Sequence, residues 1–226
     1  MSSTVDLRLY DSLLRFPLFQ GLSRTELLQL AGQTKFGFQK LAMGKSVVHE
    51  GDTCHQFLFL VSGSLSVSTV SDDRRYTVIE RLSAPWLLQP ESLFGAHPHY
   101  VSDVTTLSES HFITLTKDEV MRLFDDFLII RLNLLNMLAT QSQRRGRWPW
   151  RKAPADLRQR IVRFFLDHSL YPAGAKEFRI LMNQLALEVG DSRLDVSHVL
   201  NAMQAEGFLR LRRGIIEIPS LERLLM

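Results

Sequence analysis

Cysteine is almost absent from this chain. Cys54 is the single thiol among 226 residues, which excludes an intrachain disulfide framework, a cysteine zinc site and a four-thiolate iron-sulfur cluster. A small structural thiol is expected there. Long apolar runs are missing too: none reaches the roughly 18 residues that a membrane-crossing helix needs, and the amino terminus lacks the basic, apolar, small-residue succession of a secretory signal. A cytoplasmic protein with no membrane partner is expected. Recognisable catalytic sets are also wanting. No nucleophile elbow or zinc-protease motif occurs, and "MGKS" (43–46) is no phosphate loop, because Gln39 stands where the first glycine belongs and a strand pattern follows. His97 and His99 in "HPH" are two imidazoles on a short loop without acidic or thiol company, too few for a metal site. The expectation is a protein that is not an enzyme, with no catalytic residues, no metal and no resident cofactor.

What the chain does have is apolar content, 45% hydrophobic, sufficient at this length for two modest cores. It also has basic charge concentrated in one place. Residues 1–143 carry 12 basic against 15 acidic side chains, a net −3, and residues 144–226 carry 15 against 9, a net +6. That asymmetry points the last third of the chain at a polyanion; a solvated basic face without a partner is the alternative.

The hydrophobic period changes along the chain. Residues 4–31 read as mostly helical, anchored by Leu13, Leu14, Phe16, Phe19 and Leu22, with Pro17 as a breaker and Ser23 as a cap before "RTELLQLA". From about 36 to 115 the period is two. In "FLFLVSGSLSVSTV" Leu65 and Val67 alternate with Ser64, Ser66 and Ser68, glycines at 44, 51, 63 and 95 punctuate short runs, and "SDDRR" (71–75) forms a polar hairpin tip. Many short strands with glycine turns predict a sandwich or jelly roll.

Near Thr116 the pattern becomes helical again, with Thr116 and Glu119 in capping-box positions and a break near Asp125 and Asp126. The helix then runs to about Arg145. Leu128, Leu134, Leu135 and Leu138 belong to apolar positions that cover more than one stripe, so the helix needs partners on two sides. The second side is met most simply by the same helix of another copy, giving a two-fold homodimer; burial within a monomer is the alternative. "RRGRWPWRKAP" (144–154) reads as a hinge. "ADLRQRIVRFFLDHSL" starts a further helix with Leu157, Ile161, Val162, Phe165 and Leu166 inward and Arg158, Arg160 and Arg163 on its polar edge.

From residue 181 a short helix (about 182–189), a turn at Gly190 and Asp191, and a second helix from Ser192 to about Glu206 form a helix-turn-helix. Val196, Val199, Leu200 and Met203 hold the second helix to its domain; Ser192, Arg193, Leu194, Ser197, His198 and Asn201 are left to face double-stranded DNA. Arginine near the start of such a helix can make a bidentate contact to guanine, which makes Arg193 the first candidate. Leu194 has no group to hydrogen-bond a base, but its apolar side chain can touch a thymine methyl. After Gly207, "FLRLRRGIIEI" reads as a hairpin, a wing whose tip brings Arg212 and Arg213 to phosphate.

On these residues the chain resembles the cyclic-AMP receptor / fumarate-nitrate regulator (CRP/FNR) family of bacterial transcription factors over almost its whole length. "GKSVVHEGDTCHQFLFLVSGSLSVS" is similar to the family's glycine-punctuated jelly roll, "DLRQRI" to the aspartate-x-x-x-arginine-isoleucine signature, and "LALEVGDSRLDVSHVL" to its helix-turn-helix. Against the common Ser-Arg-Glu-Thr-Val-x-Arg pattern, Ser192, Arg193 and Val196 agree, whereas Leu194, Asp195 and His198 depart. The resemblance implies an effector pocket at Glu91, Ser92, Val101, Ser102 and Asp103. There Pro90 replaces a glycine and Val101 the phosphate-binding arginine, while Asp103 adds negative charge, so cyclic AMP is disfavoured and any effector is an unknown small molecule. It also implies RNA polymerase as a further partner. The expected architecture is α+β: an amino-terminal jelly-roll sensor (1–115), a long dimerisation helix (116–146) and a carboxy-terminal winged helix-turn-helix (147–226). The alternative function is a cyclic-nucleotide-fold sensor of a small molecule that acts through protein contacts without specific DNA binding.

Overall fold

The computed structural model describes residues 11–146, 152 and 154–225. Most of the expected hinge, residues 147–151 and 153, and the first residues of the expected amino-terminal helix therefore lie outside the described residues. The architecture is α+β, with a jelly-roll-like β domain first, then long helices, then a helix-turn-helix region. Contacts divide the chain into two compact units, one within Met1–Leu65, Ser83–Val101 and Thr105–Arg147, the other within Ser66–Leu82, Ser102–Val104 and Trp148–Met226. The hairpin residues 66–82, expected with the sensor, thus make their contacts in the unit that holds the carboxy-terminal segment.

In the first unit, Pro17 opens a 3-10 turn (Pro17–Phe19), where its missing N–H costs nothing. Ser23 caps helix α1 (Arg24–Gln33) in a full capping box with Glu26. Strands β1 (Gly37–Leu41), β3 (Gln56–Ser62), β6 (Trp86–Leu88) and β8 (Ser110–Thr116) form an antiparallel sheet in the order β1-β8-β3-β6. A further short strand, β2, covers Ser46–Val48. The fully buried Phe57 and Phe59 of β3 lie 6.1 Å apart ring to ring, and Phe16 meets Phe59 edge-on at 5.1 Å. Cys54 is buried, as a small structural thiol should be.

Gly63 shows how tightly this sheet turns. It links β3 to β4 (Ser64–Val70) at φ +102°, and a Cβ there would stand 2.6 Å from the Glu109 carbonyl oxygen and 2.8 Å from the Ser110 Cα. Backbone atoms cannot swing aside as a side chain can. Gly63→Ala is therefore expected to cost about 2 kcal/mol or more, read as a lowered urea midpoint.

Helix α2 (Lys117–Asp126) is capped by Thr116, whose hydroxyl accepts from the Glu119 N–H at 3.3 Å. The expected capping box is only half made, because the Glu119 carboxylate accepts instead from Arg122 at 2.8 Å and from the Lys35 N–H at 3.3 Å. The chain breaks at Phe127, one residue past the expected point, and helix α3 follows (Leu128–Gly146). Its inner side buries Ile130 and Leu134, and Asn133 donates to the carbonyls of Leu18 and Gln20. Leu134 is therefore used by the protomer's own core. The outer side exposes Leu128, Leu132 and Leu135 at 57%, 44% and 56%, followed by exposed Ala139. Steps of four, three and four residues make these a single apolar seam.

In the second unit, helix α4 (Leu157–Asp167), strand β9 (Lys176–Ile180), helices α5 (Met182–Val189) and α6 (Arg193–Ala205), and hairpin strands β10 (Arg210–Arg212) and β11 (Ile215–Ile218) follow one another. Ile161, Phe165, Phe178, Leu185, Val196, Leu200, Met203 and Ile216 share one core. That core also takes Val78, with Tyr76 packed against it, from strand β5 (Tyr76–Ser83). The reason is a main-chain ladder: β5 runs antiparallel to β9 with Tyr76 opposite Ile180, Val78 opposite Phe178 and Glu80 opposite Lys176, so that β10, β11, β9, β5 and β4 lie in that order in one sheet.

At the end of this ladder the side chains of Glu80 and Lys176 form an ion pair at 3.0 Å, only 1% and 0% exposed. The Glu80 carboxylate accepts from the Leu170 and Tyr171 N–H groups at 2.9 and 3.1 Å, and the Lys176 ammonium donates to the Ala173 carbonyl at 2.8 Å. At the other end, burial first, then the negative charges of Glu188, Asp73 and Asp72, push the Tyr76 phenol up to about 12. The folded chain holds this proton more tightly than an unfolded tyrosine, whose pKa is 10.0. Stability from this group is thus intact below pH 10 and is lost as pH rises towards 12. An ultraviolet titration is expected to show one phenol ionising near the upper value, and amide exchange in β9 to quicken over the same range.

Candidate nucleic-acid interface

The helix-turn-helix is built by local chemistry. Gly190 ends α5 at φ 65°, ψ 47°, a left-handed conformation that a residue with a Cβ adopts at a cost. Ser192 then caps α6, its hydroxyl accepting from the Asp195 N–H at 3.1 Å and donating to the Asp195 carboxylate at 2.6 Å. Val196, Leu200 and Met203 face inward.

The turn between the helices is fastened from outside the motif. Arg160 on α4 donates to the Val189 carbonyl at 3.0 Å and the Ala155 carbonyl at 2.8 Å, and pairs with the Asp191 carboxylate in the turn itself. Arg158 grips Glu206 at the far end of α6 with two bonds of 2.8 and 2.6 Å, and Arg163 pairs with Asp167 at 3.2 Å. The three arginines expected to lend α4 a basic edge are thus spent on internal ties. They place the second helix rather than offer it charge, and spacing alone does not reveal that. The arginine of the "DLRQRI" signature, which is Arg160, was the available clue.

Of the side chains expected to face DNA, Arg193, Leu194, His198 and Asn201 are exposed and Ser197 is half-buried. Arg193 stands at the first position of α6, where the helix dipole disfavours a cation, and its guanidinium makes no ion pair or hydrogen bond with another described residue. Asn201 turns its side-chain NH2 back to the Ser197 carbonyl at 2.8 Å, and its side-chain oxygen has no hydrogen-bond partner among the described residues. In the wing, β10 and β11 pair Arg210 with Glu217 and Arg212 with Ile215, leaving Arg213 and Gly214 at the tip. Arg212 leans on Glu217 at 3.3 Å; Arg213 is exposed.

Of the expected effector residues, Glu91, Val101 and Ser102 are already engaged by the chain. In the first unit Glu91 lies in a 3-10 turn (Pro90–Leu93) and accepts from Gln141 of α3 at 3.1 Å. Val101 is exposed, and its N–H donates to the side chain of Gln89 at 2.9 Å. Gln89 is buried in a left-handed conformation just before Pro90, a strained place for a non-glycine residue. Sequence reasoning missed both glutamines. The Nε2 of Gln89 and the hydroxyl of Ser92 are buried without a hydrogen-bond partner among the described residues. In the second unit the buried Ser102 hydroxyl bonds Thr69 at 2.7 Å, and Asp103 is half-buried at the start of strand β7 (Asp103–Thr106). His97 and His99 are exposed. Among the described residues no group of three or more histidine, cysteine, aspartate or glutamate side chains is arranged to hold a metal ion, and no helix is long and apolar enough to cross a membrane.

Comparison with known proteins finds two domain families along the chain. The family model of the cyclic nucleotide-binding domain matches residues 38–127, and that of the Crp-like helix-turn-helix domain matches residues 159–226. No match is found among curated proteins. Among solved structures, the chain is similar to the sensor domain of the transcriptional regulator DNR from Pseudomonas aeruginosa, at 22% identity over 62% of this chain and 93% of that one, with a TM-score of 0.53. It is also similar to a CRP/FNR-family regulator from Eubacterium rectale, at 20% identity over 93% and 97% of the two chains, with a TM-score of 0.50. The fold is common to all three. With a cyclic nucleotide-binding-like sensor region ahead of a Crp-type helix-turn-helix, the chain belongs to the CRP/FNR family of DNA-binding transcription regulators.

Proposed function

We propose that the protein is a homodimeric, cytoplasmic regulator that binds a roughly palindromic operator and is not an enzyme. The observation that carries this reading is Arg193: an exposed cation, unpaired among the described residues, at the helix end that least favours one, on a helix held at both ends by Arg158 and Arg160. Such a residue costs stability locally and is explained by a ligand that accepts two hydrogen bonds, as guanine does. Arg193 and His198, with Ser197 and the free carbonyl of Asn201, read base edges; Ser192 sets the helix start; Arg212 and Arg213 of the wing hold phosphate. We take residues 1–115 as sensor, 116–146 as dimer helix and 147–226 as DNA-binding domain. The seam Leu128, Leu132, Leu135 and Ala139 packs on its copy, with Leu138 at its flank, and RNA polymerase is a further partner of the bound dimer.

Two recognition helices related by a dyad read half-sites about 34–36 Å apart. Cyclic AMP is a poor effector on this reading, since Glu91 and the Val101 amide already have partners and no arginine stands at 101. Selection from a pool of random duplexes on the full-length protein tests the proposal. Recovery of an inverted repeat with that spacing supports it. Weak, sequence-blind retention favours a sensor that works through protein contacts, a reading to which the exposed Leu187 on α5 lends some support.

A further inference from the structure

Reading α6 as the base-contacting helix leaves one side chain without a task. Leu194, the second residue of the helix, is 67% exposed, although Val196, Leu200 and Met203 supply the inward face. Its polar neighbours are less available than their types suggest. The Asp195 carboxylate is held by the Ser192 hydroxyl at 2.6 Å, and the Asn201 amide is held by Ser197. The leading edge of α6 therefore presents one cation and, next to it, one branched apolar side chain. On base edges in the major groove a single feature is apolar, the 5-methyl group of thymine.

We infer that Leu194 is a specificity-determining residue that packs on the methyl of a thymine adjacent to the base read by Arg193. The inference rests on the DNA reading above. An acidic side chain at this position would accept a hydrogen bond from the cytosine amine; leucine withdraws that preference and rewards the methyl instead. Discrimination here comes from contact area alone, so it is modest at one half-site and multiplies across the two. Because Leu194 is outside the core, its truncation leaves the fold alone.

The test takes the duplex selected on the full-length protein and replaces each thymine in turn by deoxyuridine, which removes the methyl and nothing else. Binding of the wild-type protein is expected to weaken about fourfold at one thymine of each half-site, the worth of one buried methyl-sized group. Leu194→Ala is expected to bind the parent duplex as weakly as the wild type binds the deoxyuridine one, and to ignore the replacement. A selected site whose every thymine tolerates deoxyuridine overturns the methyl contact and leaves the DNA reading standing. Equal losses in wild type and Leu194→Ala overturn it too, because another group then reads the methyl. Failure to select any site overturns both readings.

Discussion

Lys176→Met is expected to destabilise the carboxy-terminal unit by about 3–5 kcal/mol. The substitution keeps an unbranched apolar side chain as far as the ε position and removes the ammonium, so the Glu80 carboxylate is left buried opposite nothing of the other sign. Two N–H bonds from Leu170 and Tyr171 still reach it, which limits the loss without cancelling it. Removing both charges in Glu80→Leu with Lys176→Met is expected to recover part of that stability, because neither desolvated ion remains. The residual deficit, about 1–3 kcal/mol, reflects the two N–H groups that lose their acceptor. Denaturant unfolding followed by circular dichroism, with amide exchange at Phe178, measures both. A single variant within about 1 kcal/mol of wild type would show that water reaches the pair and that the ladder does not depend on it.

Arg193→Ala is expected to leave folding and dimerisation unchanged while lowering affinity for the selected operator by about 1–3 kcal/mol at each half-site. Alanine is the better helix former, and the exchange removes a cation from the positive end of a helix dipole, so stability holds or rises slightly. Binding to unrelated duplex, governed by phosphate neutralisation, changes little. Titration of both duplexes at one fixed salt concentration separates the two effects. An unchanged preference for the operator would remove Arg193 from the reading edge.

Much of this was legible in the sequence where the signal is local. Gly190 followed by Ser192 fixed the turn and the start of α6, since a left-handed residue and a capping hydroxyl act within a few positions. The strand alternation of Leu65 and Val67, the hairpin tip at 71–75 and the break after Asp126 also follow from short-range chemistry. Pairing across about a hundred residues was not legible. No local period says that β5 lies against β9, and the α4 arginines look like a solvent edge until their acidic partners are brought near. Two residues did carry a hint. Glu80 is in phase with the inward Val78 and Leu82, and Lys176 with the inward Phe178 and Ile180. A charge on the buried phase of a strand implies a counter-charge elsewhere. Leu134 misled because apolar positions on both sides of a helix do not say which side meets the protomer's own core.

The ladder between β5 and β9 has a consequence for anyone who isolates the helix-turn-helix end of the chain. A fragment starting at α4 would keep both helices of the motif and the wing, yet one side of β9 would be stripped to bare amides and carbonyls, with a lone ammonium and a hollow where Val78 now sits. Exposed strand margins of that kind recruit other strands. Such a fragment is a poor stand-in for the intact protein unless a segment matching residues 66–82 is supplied to it.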